Sequence, residues 1–291
     1  MIETLEKVGE LAVVTYVVSS MLVMGMSQRL PDVVAPLQDP RTVVVALVVN
    51  FIAAPLLALL LARIVPLQPA HAIGLLLLGG AAGAPFIPKL AEVAGGDLAY
   101  SVAIMVLLMI GSIAFIPVVL PWVVPGLSAD PWSIARPLLL MMLLPLALGF
   151  VLGGWWARAS GRLLPFLRKL SSVAFMVLLV LLVGLNIGAL VDTIGSFAIG
   201  TYGLFVLAVA LLGYVLGGEN PRTRNVLALA SGERNTSAAL VVAVESLNDP
   251  AVVVMVLIGA VVGLAIMLAT ARQMCRRLKK MNESQGDQGG S

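Results

Sequence analysis

Nine apolar stretches follow one another along the chain, separated by short polar breaks. Each is close to the roughly 20 residues that a helix needs to cross a bilayer core of about 30 Å. They lie at about 8–28, 42–64, 72–93, 98–122, 136–156, 169–191, 195–217, 225–246 and 251–271. The breaks carry helix-ending and helix-starting residues: Pro31-Asp32, Asp39-Pro40, Gly96-Asp97, Asp130-Pro131, Gly217-Gly218 and Asp249-Pro250. Aspartate before proline reads as an N-cap followed by a proline at the first helical position. The pattern predicts an all-α integral membrane protein of about nine transmembrane helices.

Two of the stretches are interrupted. The third breaks over Gly79-Gly80-Ala81-Ala82-Gly83-Ala84-Pro85-Phe86-Ile87-Pro88-Lys89, and the eighth over Ser231-Gly232-Glu233-Arg234-Asn235-Thr236. They stand five helices apart, an odd offset that gives them opposite orientations across the bilayer. Interrupted segments at corresponding positions point to an inverted-repeat transporter with two crossed, broken helices. The first half spans about 8–122 and the second about 136–271, the first lacking one helix of a five-plus-five plan.

Composition narrows the class. Hydrophobic residues make up 60% of the 291 and charged ones 11%, against about 45–50% and about 25% in soluble domains. The mean hydropathy of +1.06 cannot be hidden in one soluble core. Residues 1–280 are expected to form a single transmembrane domain, with 281–291 a disordered cytoplasmic tail. That leaves no room for an appended catalytic or nucleic-acid-binding domain, so the pI of 9.2 is no nucleic-acid signal. Basic residues concentrate at one set of helix ends: Arg29, Arg41, the group from Arg158 to Lys169, Arg222, Arg224 and the run from Arg272 to Lys280. Only Lys7, Arg63 and Arg136 fall at the other set, which predicts N-out, C-in topology in the inner or plasma membrane. The terminal basic run is expected to fix topology and meet anionic lipid, and no obligate protein partner is evident. The acidic N-terminal flank (Glu3, Glu6, Glu10) does not read as a secretory signal.

Three charges fall where hydrocarbon should be: Lys89, Glu233 and Arg234. A charge at a helix centre costs on the order of 2.5–3.5 kcal/mol on insertion scales, so each is a functional-site hypothesis by default. Unwound backbone adds carbonyls for cations and half-helix N-termini for anions. Pro88 and Ser237 flank the charges, Asn235 and Thr236 offer side-chain oxygens, and Asn50 places an amide mid-span. A structural Lys89–Glu233 ion pair is the plainer alternative. Thr15, Tyr16, Ser19 and Ser20 give the first helix a polar face, Asn186 reads as interhelical glue, and the only histidine, His71, as an interfacial residue. An enzyme is not expected. The aspartates Asp97, Asp192 and Asp249 sit at helix ends, His71 is too shallow for a nucleophile's base, and one histidine with one cysteine, Cys275, makes no metal cluster. No cofactor is expected, and a sodium ion or a proton is the expected coupling ion.

The residues resemble a known family. The stretch from Gly74 to Pro121, with Gly79-Gly80 before the break and Ala94-Gly95-Gly96-Asp97-Leu98-Ala99-Tyr100-Ser101-Val102 opening the next helix, resembles the first crossover of the bile acid:sodium symporter family. Ser231 to Ala238 resembles its second crossover, Asn50-Phe51 with Pro55 its amide-Phe…Pro motif, and Met24-Gly25-Met26 its Met-Gly motif. The resemblance implies an inverted-repeat secondary transporter with a panel and a core domain. Such transporters carry organic anions such as bile acids, pyruvate or pantoate, commonly with two sodium ions at the crossing. It makes Asn50, Glu233, Asn235 and Thr236 a sodium shell. An arsenite-exporting branch has a cysteine in the first broken helix, and this chain has none there.

The departures from that pattern shape the expectation. Where the family supplies hydroxyl or amide oxygens at the first crossing, this chain reads Phe86-Ile87-Pro88-Lys89. Aligning Asn235 with the family's asparagine puts Arg234 at its glutamine and Ala230 at its glutamate. Lys89 and Arg234 are therefore expected to stand in for the two sodium charges. Transport would then be sodium-independent, with a proton carried through Lys89 and Glu233, or the two cations would bind a substrate carboxylate directly. An ordinary sodium symporter with a shifted shell and a channel are the alternatives.

Overall fold

The computed structural model describes residues 2–29, 31, 34, 37, 39–124, 130–155, 157–185, 193, 196–247 and 249–288. Among them every regular element is a helix. In chain order these are α1 (Ile2–Met26), α2 (Pro40–Ile64), α3 (Pro69–Gly80), α4 (Ile87–Ala94), α5 (Leu98–Val123), α6 (Pro131–Gly154), α7 (Ala157–Leu185), α8 (Ala198–Leu216), α9 (Pro221–Gly232), α10 (Thr236–Val242) and α11 (Pro250–Gln288). By length and composition, α1 from Lys7, α2, α5, α6, α8, and α11 as far as Met281 can each cross a membrane. The apolar stretches at 72–93 and 225–246 appear as the broken pairs α3–α4 and α9–α10, and the stretch at 169–191 as the second part of α7. Asn186 lies outside the described residues. The backbone of α11 is helical as far as Gln288.

The caps follow the local sequence. Asp39 accepts hydrogen bonds from the Arg41 amide and the Thr42 hydroxyl, and chiefly the Thr42 bond holds its carboxyl below the ordinary range. Asp97 accepts from the Tyr100 amide, and Asp249 from the Ala251 amide. Within α2 a π-helical turn, Val49–Ala53, ends two residues before Pro55. Another in α6, Leu139–Leu143, ends two residues before Pro145. Proline lacks an N–H and its ring crowds the carbonyl four residues back; widening the turn relieves both. The widened turn in α2 holds Asn50 in the interior, fully buried.

The helices sort into two groups by what they touch. α1 packs along α6 and α7, while α8 packs on α9 and α11, and α11 lies against α3 and α4. α10 touches α1 and α6, linking the groups near the second break. The α1–α6 contact is backbone on backbone. A Cβ on Gly25 would lie 2.3 Å from the Leu146 carbonyl oxygen, and one on Gly149 would lie 2.6 Å from that of Leu22. Nothing flexible stands at either place to give way. Gly25→Ala is therefore expected to lower stability by about 1–3 kcal/mol, the usual cost of overpacking. Gly200→Ala in α8, where a Cβ meets nothing within 4 Å, is the control and should leave the Tm of the detergent-solubilised protein unchanged.

Candidate functional site

The first break is built from residues that cannot continue a helix. Gly79-Gly80 weaken the end of α3, and the chain turns extended at Ala81. Gly83 takes a positive φ of 79°, and a Cβ there would lie 2.2 Å from the Met109 amide nitrogen. Pro85 and Pro88 then withhold two amides. Residues 81–84 are nonetheless buried, so each freed backbone group needs a partner. Ser112 of α5 meets both polar groups of Ala82, donating its hydroxyl to the carbonyl at 2.9 Å and accepting the amide at 2.7 Å.

The remaining partners come from the second break. The Asn235 amide donates to the Ala81 carbonyl at 2.8 Å, and its side-chain Nδ2 to that of Gly83 at 3.1 Å. Arg234, only 2% exposed, turns its guanidinium into the end of α3. Its Nε donates to the Leu78 carbonyl at 2.8 Å and its Nη2 to that of Gly79 at 2.6 Å. Its Nη1 donates to Asn50 Oδ1 at 2.8 Å and to the Ser231 carbonyl at 3.0 Å. The Phe205 ring lies 5.9 Å from its Cζ, within cation–π range. Asn50 completes the link by donating Nδ2 to the Ala46 carbonyl and to Ser231 Oγ.

Three backbone carbonyls and one amide oxygen, at the negative end of a half-helix, are the chemistry of a hard-cation site. A guanidinium fills it here. Its planar fork has five N–H donors, and four hydrogen bonds engage them, all to uncharged oxygens.

Glu233 is also buried, at 7% exposure, but it receives none of the Arg234 bonds. Its Oε2 and the Ser237 Oγ have no hydrogen-bond partner. The Tyr16 hydroxyl of α1 faces Ser237 without hydrogen-bond geometry and lies within electrostatic reach of Glu233. Asn235 Oδ1 accepts the Ala238 amide and so caps α10. Thr236 is half-buried at the first position of that helix.

Lys89 is not at the crossing, which corrects the expectation that it stands in for an ion there or pairs with Glu233. In α4, Ile87, Leu90, Ala91 and Ala94 face inward. Lys89 lies on the opposite face, with its side chain 59% exposed, and pairs with Glu92 one turn on at 2.7 Å. Pro88, half-buried, occupies the second position of α4 and brings no polar group. His71, in the first turn of α3, is buried against its neighbours, with Nε2 3.0 Å from Thr193 Oγ1. The sequence reading missed Ser112, a lone hydroxyl in an apolar run, and placed Ser231 in the break without its link to Asn50.

Removing the Arg234 side chain leaves the Leu78, Gly79 and Ser231 carbonyls without its hydrogen bonds, each loss costing roughly 1–3 kcal/mol. Arg234→Ala is expected to lower stability by on the order of 3 kcal/mol or more, and Arg234→Lys to restore little, since an ammonium lacks the fork. Lys89→Ala should fall within about 0.5 kcal/mol of the parent, as for other exposed pairs. Thermal melts of the three variants check this.

A sequence model of the Sodium Bile acid symporter family matches residues 14–193, well over half the chain. The match takes in Tyr16, Asn50, the first break and Ser112, while the second break lies beyond it. No curated protein matches the chain at a significant level. The helical architecture agrees with that match, and the chain belongs to the sodium bile acid symporter family.

Proposed function

We propose that this multi-pass membrane protein is a secondary active transporter of a small organic anion, working by alternating access, with Arg234 fixed in the place of a coupling sodium ion. The observation that carries the reading is the set of four oxygens around the Arg234 guanidinium. Family membership supports a transporter rather than an enzyme. The full proposed topology has nine spans in two inverted repeats, N-out and C-in, in the inner or plasma membrane.

A tethered charge cannot leave with the cargo, so no energy of a sodium gradient enters through that position. The ordinary sodium shell is also short of free oxygens. Asn50 Oδ1 is taken by Arg234, and Asn235 Oδ1 by the Ala238 amide. With Lys89 on the exposed face, Glu233 is the group left to carry a coupling proton. Direct clamping of a substrate carboxylate by Arg234 is disfavoured because four of its five donors are already engaged, leaving no pair for a bidentate bond. Buried polar atoms without partners mark where a ligand's polar groups belong, and here those are Glu233 Oε2 and Ser237 Oγ, beside Tyr16.

Uptake of a panel of labelled small organic anions into proteoliposomes tests the reading. Saturable uptake should proceed equally well in sodium, potassium or choline chloride, rise with an inward proton gradient, and lose that rise in Glu233→Gln. An absolute sodium requirement overturns the fixed-cation mechanism, and single-channel currents overturn the carrier.

A further inference from the structure

We infer that the groove between α8, α9 and α11 is a binding site for one anionic phospholipid, a ligand distinct from the transported cargo. The groove has a volume of about 380 Å³ and lies away from the crossing. Its walls are apolar, with Leu207 and Leu211 of α8 facing Met274 and Leu278 of α11. Its basic groups are Arg224 of α9 and Arg277 of α11.

Arg224 is held ready for an anion. Its guanidinium lies 4.5 Å from the centre of the Tyr214 ring, which fixes its plane. Its Nε is buried and has no hydrogen-bond acceptor. A buried donor without a partner carries a desolvation cost that a phosphodiester oxygen would remove. Arg277 projects from α11 on the exposed side of the same groove, where a second phosphate oxygen would meet it.

The apolar half selects the kind of anion. Leu207 and Leu211 are 49% and 61% exposed on the outer surface of a span, which is where an acyl chain lies. Arg224 stands in the first turn of α9 and Arg277 near the end of α11's apolar run, which is headgroup level. Basic pockets between transmembrane helix ends are where anionic headgroups bind. A free phosphate would use the arginines and leave the leucine wall idle. An occupant joining both halves needs a charged head and a hydrocarbon tail on one molecule.

The position has a consequence for the crossing. α9 runs from Pro221 to Gly232, directly into Glu233 and Arg234. A lipid held by Arg224 thus grips the far end of the half-helix that carries the fixed cation. The inference needs only the membrane embedding and holds whatever the cargo or its coupling.

The test uses full-length protein in a mild detergent, melted with phosphatidylglycerol, phosphatidylcholine or inorganic phosphate added. Phosphatidylglycerol should raise the Tm by about 3 °C or more, and the other two should not. The rise should be lost in an Arg224→Gln, Arg277→Gln double variant. It should also be lost in Leu211→Trp, which fills the groove and leaves both arginines in place. Native mass spectrometry should find phosphatidylglycerol retained on the parent and not on Leu211→Trp, which decides the matter if the double variant does not fold. An equal rise with phosphatidylcholine means annular lipid only, and an equal rise with inorganic phosphate means a free-anion site. Either result overturns the proposal, as does an undiminished phosphatidylglycerol effect in the variants.

Discussion

A guanidinium in the interior of a membrane protein has to be met by oxygen on every side it turns, and this constraint organises the two broken helices around each other. Ending α3 at Gly80 leaves last-turn carbonyls that water cannot reach. Interrupting the second segment after Gly232 releases Arg234 and Asn235 from helical geometry, and their donors go to the Leu78, Gly79, Ala81 and Gly83 carbonyls. Each break would be a buried defect alone. The second break supplies donors to four carbonyls of the first, with Ser112 covering Ala82 and Asn50 joining the widened turn of α2 to the second.

The same arrangement bears on how such a protein moves. The crossing is buried and densely bonded, which suits a rigid body. α1, α6 and α7 form a separate group joined through glycine contacts. Between the groups, where α1 passes α10, Glu233 Oε2 and Ser237 Oγ leave polar capacity unused beside Tyr16. In the proposed transporter, a saturated centre beside an unsaturated seam would divide the labour, the fixed charge holding the core's shape and the seam binding and releasing cargo.

The helical, membrane-spanning character was legible because apolar length and Asp-Pro punctuation are local signals, and Asp39 and Asp249 cap helices where that punctuation places them. The two breaks were legible for the same reason. The partners across them were not. Arg234 looked like one of two equivalent buried cations, yet Lys89 occupies the outer face of α4. The sequence did hold the sign of that: Ile87, Leu90, Ala91 and Ala94 form an inward stripe, and Glu92 stands one turn from Lys89. Treating the third segment as uniformly embedded hid a half-helix with an outer face. Ser112 and Ser231 act through contacts with residues 30 and 181 positions away, a pairing that no local pattern encodes. The contact of His71 with Thr193, 122 positions away, is likewise absent from any local pattern.

In the proposed mechanism Arg234 occupies a cation site that would otherwise take sodium. Replacing it with the glutamine that the family resemblance places there empties the cage while keeping an amide. Melting the parent and Arg234→Gln in sodium chloride and in choline chloride at equal ionic strength tests this directly. The account predicts no sodium-specific shift in the parent and a sodium-specific rise in Arg234→Gln, about 2.7 kcal/mol at one hundred times the dissociation constant. Sodium-specific stabilisation of the parent, with none gained by the variant, would contradict it.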